Sequence, residues 1–271
     1  NNRLALISVI ILEGIYFYNF TTPEFNVNVS QMPFWAASIY FTWRCIKFDK
    51  IIDYMLLGLF ISLGILSKYL FVYLVIGIKL LFLYLIKERK KIKISKYFIT
   101  GSLVLILLSP HLIWLVENNY STIIYGLQRS NSENILSHIT NPIIFVTKQA
   151  GLLLPLFVMS WILLKNPKLK INLKDEKLVF LIFTTLVPII LIFLTSVIMG
   201  AKIRTMWMTP FYLFSGVLII YVFKKFIDIR RLKKFYMVFL FFFILSPALY
   251  FTVSVKNDKK RTDYPGKEIA R

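Results

Sequence analysis

Apolar runs alternate with short clusters of lysine and arginine along the chain, and this alternation restricts the fold more than any other feature. Nine apolar segments can be drawn, most of them near the ~20 residues that a helix needs to cross a bilayer. They cover 4–20, 32–45, two short helices within 54–86 that meet at 64–69, 97–116, 142–164, 178–199, 207–223 and 235–255. Since helices satisfy their own backbone hydrogen bonds in lipid, the segments predict an all-α, polytopic membrane protein.

In the loops that join consecutive apolar segments, the basic residues are distributed very unevenly between two alternating sets. One set of loops, from Arg44 to Lys234, carries 20 lysines and arginines, whereas the opposite set carries four: Lys68, Arg129, Lys202 and Arg204. Cytoplasmic loops are enriched in lysine and arginine. The asymmetry therefore predicts that the first set is cytoplasmic and that 64–69, 117–141 and 256–271 face outward.

Composition argues against other classes of protein. Hydrophobic residues make up 58% of the 271, above the roughly 45–50% of soluble domains. The net charge is +20. The lysines and arginines lie in short clusters between apolar segments and form no basic face, so we expect no nucleic-acid partner. The single cysteine, Cys45, excludes an internal disulfide and a cysteine-based metal site.

The four outer cations have two explanations. Long basic side chains near helix ends often simply extend to the membrane interface. Alternatively they hold a phosphate, because a guanidinium matches phosphate oxygens and an ammonium supplies a point charge. Lys68 lies at the apex of a short hairpin, where we expect its ammonium to be partly recessed, and a recessed cation is costly without an anionic partner.

Further candidate residues are predicted on the same side, and their roles stay open: Glu24, Tyr69, His111, Trp114, Glu117, Gln149 and Trp207. Glu24 is either a favourable charge near a helix start or a carboxylate that supports catalysis. His111 can be a hydrogen-bonded wall residue, and Glu117 a solvated helix end. The aromatic residues are either interfacial belt residues or platforms for a sugar ring.

Four stretches, in their order and spacing, resemble one family. The first two are Thr22-Pro-Glu24 leading into Phe34-Trp35-Ala and Tyr40-Phe-Thr-Trp-Arg44, and Leu63-Gly-Ile-Leu-Ser-Lys-Tyr69. The other two are Ser109-Pro-His-Leu-Ile-Trp114 with Asn119-Tyr-Ser-Thr and Gln128-Arg129, and Ala201-Lys-Ile-Arg-Thr-Met-Trp207-Met-Thr-Pro-Phe-Tyr212. This set resembles the GT-C glycosyltransferases of family 39, which include protein O-mannosyltransferases and the lipid A aminoarabinose transferase.

The resemblance implies transfer of a sugar from a polyprenyl-phosphate donor to a lipid, glycan or protein acceptor at the outer face of a bacterial inner membrane. It implies that the four outer cations bind the donor phosphate, and that Glu24, His111 and Gln149 contact the sugar or the acceptor. The catalytic aspartate of the family lies in its first outer loop, which we expect before Asn1. We therefore expect 1–255 to be the membrane domain, inactive alone, and 256–271 to begin an outer soluble domain.

Two other functions remain alternatives. A transporter or flippase of lipid-linked sugars would carry polar groups near the bilayer midplane, where only Glu13 lies. A non-catalytic membrane partner of an enzyme would lack the acidic motif altogether. No cofactor is predicted; a divalent cation, the identity of the sugar and the oligomeric state stay open.

Overall fold

The computed structural model describes residues 2–22, 24–88, 94–130 and 134–256. The predicted start of an outer domain at 256–271 lies outside the described residues except for Lys256.

The described chain folds into twelve α-helices joined by short 3-10 turns. They are α1 Asn2–Ile10, α2 Val27–Ser30, α3 Met32–Phe48, α4 Ile51–Ser67, α5 Val72–Lys87, α6 Ile94–Glu117, α7 Ser121–Ser130, α8 Ser137–Leu163, α9 Glu176–Leu181, α10 Val187–Met199, α11 Ser215–Phe223 and α12 Leu232–Lys256. A π-helical turn, Ile182–Leu186, joins α9 to α10 in one continuous rod.

Five helices are long and apolar enough to cross a membrane: Tyr69–Lys87, Ser95–Glu117, Ser137–Leu163, Glu176–Met199 and Ile229–Lys256. A sixth crossing is possible if the bent pair Thr205–Tyr212 and Ser215–Phe226, with an angle of 52°, forms one span. The prediction of an all-α polytopic membrane protein is thus confirmed, with five to six candidate spans among the described residues. The other three predicted segments are helical but shorter, or broken by 3-10 turns.

Contacts between loops divide the described bundle into two ends. At one end, Lys96 Nζ pairs with Asp49 Oδ2 at 2.6 Å, and the Lys165 amide donates to the Phe226 carbonyl at 2.8 Å. These loops belong to the set rich in lysine and arginine, so we call this the basic end.

At the opposite end, the Lys202 amide donates to the Ser130 carbonyl at 3.0 Å. The Asn141 side-chain amide donates to the Gly200 carbonyl at 2.8 Å. Each of these contacts joins loops of the set that is poor in basic residues. The loops therefore meet in the same two groups that the distribution of charge predicts.

The buried core reaches the opposite end as a group of aromatic rings. Trp35 of α3 contacts Phe71 edge-on, with ring centroids 5.3 Å apart, and its ring lies 4.9 Å from that of Phe211. All three side chains are fully buried. Phe71 packs directly on Gly64 of α4, where any side chain would overlap the ring. This contact with the buried core stabilises the turn between α4 and α5.

The helix boundaries differ from the prediction in two stretches, and a local turn before each helix explains the difference. The stretch predicted as a long loop contains α7, which follows a left-handed turn at Asn119 and Tyr120, with φ of 51° and 55°. Helix α8 begins at Ser137 and not at Pro142. Its start follows a turn in which the Asn134 side chain accepts from the Leu136 amide at 2.9 Å, a local signal that competes with proline.

Candidate functional site

Lys68 lies at the point where α4 ends and the next helix begins. Its backbone is extended, with φ −168° and ψ 133°, and its amide donates to the Gly64 carbonyl at 3.1 Å. The following 3-10 turn, Tyr69–Phe71, leads into α5. The predicted break of the hairpin at 64–69 is confirmed, and it directs a half-buried lysine into the opposite end of the bundle.

A pair of asparagines receives this lysine. Asn26 caps α2 by accepting hydrogen bonds from the Asn28 amide at 2.9 Å and from its side-chain nitrogen at 2.8 Å. This contact leaves Asn28 Oδ1 as the free acceptor, and Lys68 Nζ donates to it. Asn28 is 2% exposed. A fixed amide oxygen therefore accepts a hydrogen bond from the lysine ammonium.

An indole ring covers another side of the ammonium. Lys68 Nζ lies 5.2 Å from the centre of the Trp207 ring, in cation–π geometry. Trp207 belongs to the 3-10 turn Thr205–Met208, in which its amide donates to the Arg204 carbonyl at 3.0 Å. The loop that carries Lys202 and Arg204 therefore leads directly into the turn whose Trp207 ring contacts Lys68.

No carboxylate pairs with Lys68 in the described part of the chain, and the charged group that affects its pKa is another cation. Burial, and secondarily the positive charge of Arg129, lowers the pKa of Lys68 from the ordinary 10.5 to about 8. Arg129 is exposed on α7, where its guanidinium donates to the Tyr125 hydroxyl at 3.0 Å. An anion bound between the two cations would offset the smaller part of this shift, which comes from the repulsion between them.

Helix α7 is attached to the site at both ends. Near its start, the Tyr69 hydroxyl lies 2.7 Å from Thr122 Oγ1 and 2.8 Å from His111 Nε2. At its end, the Ser130 carbonyl accepts from the Lys202 amide. Tyr69 and His111 therefore connect the helix to the hairpin turn, which makes them positioning residues in this structure.

The remaining predicted residues lie around this cluster or apart from it. Glu24 is half-buried, two residues before the Asn26 cap. Trp114 stacks on His111 with ring centroids 5.8 Å apart, while Glu117 is exposed at the end of α6. Gln149 is buried inside α8 and accepts from the Tyr212 hydroxyl at 2.9 Å, a contact separate from those of Lys68.

The two asparagines were not predicted as site residues from the sequence, and neither was the contact made by Thr122. An asparagine two residues before another and just ahead of an apolar run is a helix-cap signal, and it could have indicated the turn at Asn26. The contact with Lys68, however, joins residues 40 positions apart. The partner of Tyr69 on α7 was equally hidden, because that stretch was predicted to be a loop.

The described residues contain no group of three or more His, Cys, Asp or Glu side chains arranged to hold a metal ion. The donors at the site are instead ammonium, guanidinium, amide and hydroxyl groups. Such donors suit a phosphate group, whose oxygens accept hydrogen bonds and carry negative charge. The chemistry available here is anion binding and stabilisation of charge on a leaving phosphate.

Comparison with known families matches part of the chain. The model of a family described as dolichyl-phosphate-mannose-protein mannosyltransferase matches residues 1–114. No curated protein and no solved structure matches the chain. The matched segment includes the asparagine pair, Lys68, Tyr69 and His111, and it ends at Trp114.

Proposed function

We propose that the protein transfers a sugar from a polyprenyl-phosphate donor, on the basis that residues 1–114 match the dolichyl-phosphate-mannose-protein mannosyltransferase family. The observation that carries the proposal is Lys68, a recessed ammonium between an amide oxygen and an indole ring, with Arg129 as its charged neighbour. In this proposal, the phosphate of the donor binds between the positive charges of Lys68 and Arg129. The acceptor is a lipid, glycan or protein.

The distribution of basic residues supports a side for the reaction. With 20 lysines and arginines in the loops of the basic end and four in the opposite loops, the positive-inside rule orients the basic end toward the cytoplasm. The Lys68 site then faces outward across the inner membrane of a bacterium. All nine predicted segments cross the bilayer in this proposal, the shorter ones included.

The site would act mainly on the leaving group. When an oxygen or nitrogen of the acceptor forms its bond to the anomeric carbon, the bond from that carbon to the phosphate oxygen breaks. The electron pair stays on the phosphate, and the acceptor proton passes to a base that we do not assign. Lys68 and Arg129 would stabilise the charge that develops on the phosphate, because both are oriented before the reaction begins.

Lys202 and Arg204 have a less direct role in the proposal. Both are exposed on the loop that precedes Trp207, so they can neutralise a phosphate that approaches from the membrane interface. Glu24 lies on the loop that leads to the Asn26 cap of α2, close enough in sequence to support the sugar or the acceptor. These assignments rest on position along the chain and on the resemblance to the family.

Binding of heptaprenyl phosphate to the purified protein tests the proposal. We expect Lys68→Met to weaken binding at least tenfold while the helical circular dichroism is unchanged. Lys79→Ala is the matched control, because Lys79 is an exposed lysine of α5, in the same hairpin. Equal affinity of wild type and Lys68→Met, or an equal loss in the control, would overturn the assignment of the phosphate site.

A further inference from the structure

A groove at the basic end lies between α3, the start of the rod formed by α9 and α10, and α11. Its walls are aliphatic and aromatic: Ile39, Trp43, Phe180, Leu181, Phe214 and Val217. Trp43 and Phe180 contact each other edge-on, with ring centroids 5.1 Å apart. This groove is separate from the Lys68 site, which lies at the other end of the bundle.

Two lysines line the same groove. Lys47 is in the last turn of α3 and Lys177 is in the first turn of α9. Both side chains are exposed. Lys177 directly precedes the buried start of the membrane-spanning rod, so its ammonium lies at the level where an apolar wall meets the polar interface.

The acids near the groove are already engaged. Asp175 caps α9 through the Lys177 and Leu178 amides and accepts from the Tyr221 hydroxyl at 2.8 Å. Burial alone would raise the pKa of Asp175, but these hydrogen bonds and the charge of Lys224 lower it on balance, so this carboxylate stays ionised.

The local charge balance remains positive. Lys224 Nζ lies 3.8 Å from the centre of the Tyr221 ring. Three ammonium groups, those of Lys47, Lys177 and Lys224, therefore outnumber two carboxylates, those of Asp175 and of Glu176, which also lines the groove.

We propose that this groove binds one anionic phospholipid. Its acyl chain would lie along the apolar wall, because an apolar groove on a membrane-spanning rod is filled by lipid and not by water. Its phosphate would lie between Lys47 and Lys177. Clusters of lysine beside a membrane helix favour anionic over zwitterionic headgroups, and the aromatic rings of Trp43 and Tyr40 suit the interfacial level. This site does not depend on the transfer reaction proposed above.

Native mass spectrometry of the full chain tests the proposal, with dipalmitoyl phosphatidylglycerol and dipalmitoyl phosphatidylcholine titrated separately into the protein in detergent. Two lysines at the headgroup level should make the wild type prefer phosphatidylglycerol by about tenfold. Lys47→Gln together with Lys177→Gln should abolish that preference. The control is Lys168→Gln together with Lys170→Gln, which removes the same charge from exposed positions of the same end.

Each result of this experiment either supports or overturns the proposed phospholipid site. Loss of the preference in the first pair, with the control pair unchanged, supports a defined phospholipid site. Equal binding of the two lipids by the wild type overturns it, and so does an equal loss in both pairs, which would indicate general charge attraction. If the glutamine pair fails to fold, Lys47→Arg with Lys177→Arg replaces it, and that pair should keep the preference.

Discussion

The lowered pKa of Lys68 leads to a pH dependence that an ordinary lysine would not produce. Without a bound anion, Lys68 is half protonated at about pH 8. Its protonated fraction therefore falls from about nine-tenths at pH 7 to about one-tenth at pH 9. If only the ammonium form holds the donor phosphate, the affinity should fall about tenfold over that range. A lysine with the ordinary pKa of 10.5 would lose only a few per cent of its charge.

The same shift indicates how much the lysine contributes to binding. A change from 10.5 to about 8 corresponds to roughly 3 kcal/mol disfavouring the charged form, at about 1.4 kcal/mol per pH unit. A bound anion can recover part of that free energy. We therefore expect Lys68→Met to lose between about ten- and a hundredfold in affinity.

The assay should use a polyprenyl-phosphate-linked mannose and not the free phosphate. The sugar-linked phosphate is a diester with one negative charge across this pH range, so only the protein titrates. Affinity should be measured from pH 6.5 to 9.5 for the wild type and for Lys68→Arg, whose guanidinium stays charged. The reasoning is refuted if the wild-type affinity is flat, or if Lys68→Arg shows the same decline.

Two further predictions concern the scaffold. Gly216→Ala should lower the thermal unfolding temperature of the protein by several degrees, because the added carbon would lie 2.1 Å from the Ser8 carbonyl oxygen. Gly151→Ala is the control, since its added carbon meets no atom within 4 Å and should be neutral. Equal unfolding temperatures of the two variants would contradict this packing. Tyr69→Phe should increase hydrogen exchange in Ser121–Ser130 severalfold without changing exchange elsewhere, and unchanged exchange there would mean that Tyr69 does not hold α7.

The helical architecture was largely predictable, because lipid imposes it. Long apolar runs locate helices, and the break at 64–69 follows from a hairpin too long for one span. The boundaries were less predictable where local hydrogen bonds decide them. The start of α8 depends on the turn at Asn134, and α7 depends on the left-handed turn at Asn119 and Tyr120.

The candidate site was predictable only in part. The excess of basic residues on one side singled out four cations, because topology disfavours basic residues on the other side: Lys68, Arg129, Lys202 and Arg204. Their surroundings were not predictable, since Asn28 and Trp207 reach Lys68 from distant parts of the chain. Pairing of that kind depends on how helices pack, which no local pattern in the sequence encodes.

The most direct test of the account is to map where the donor phosphate lies. A polyprenyl phosphate with a photoreactive diazirine next to the phosphate should be crosslinked to the protein in membranes, and the modified peptides identified by mass spectrometry. We predict labelling within 24–31, 64–73 and 202–208, with loss of that labelling in Lys68→Met. Labelling confined to the basic end, or unchanged labelling in Lys68→Met, would contradict the proposed phosphate site.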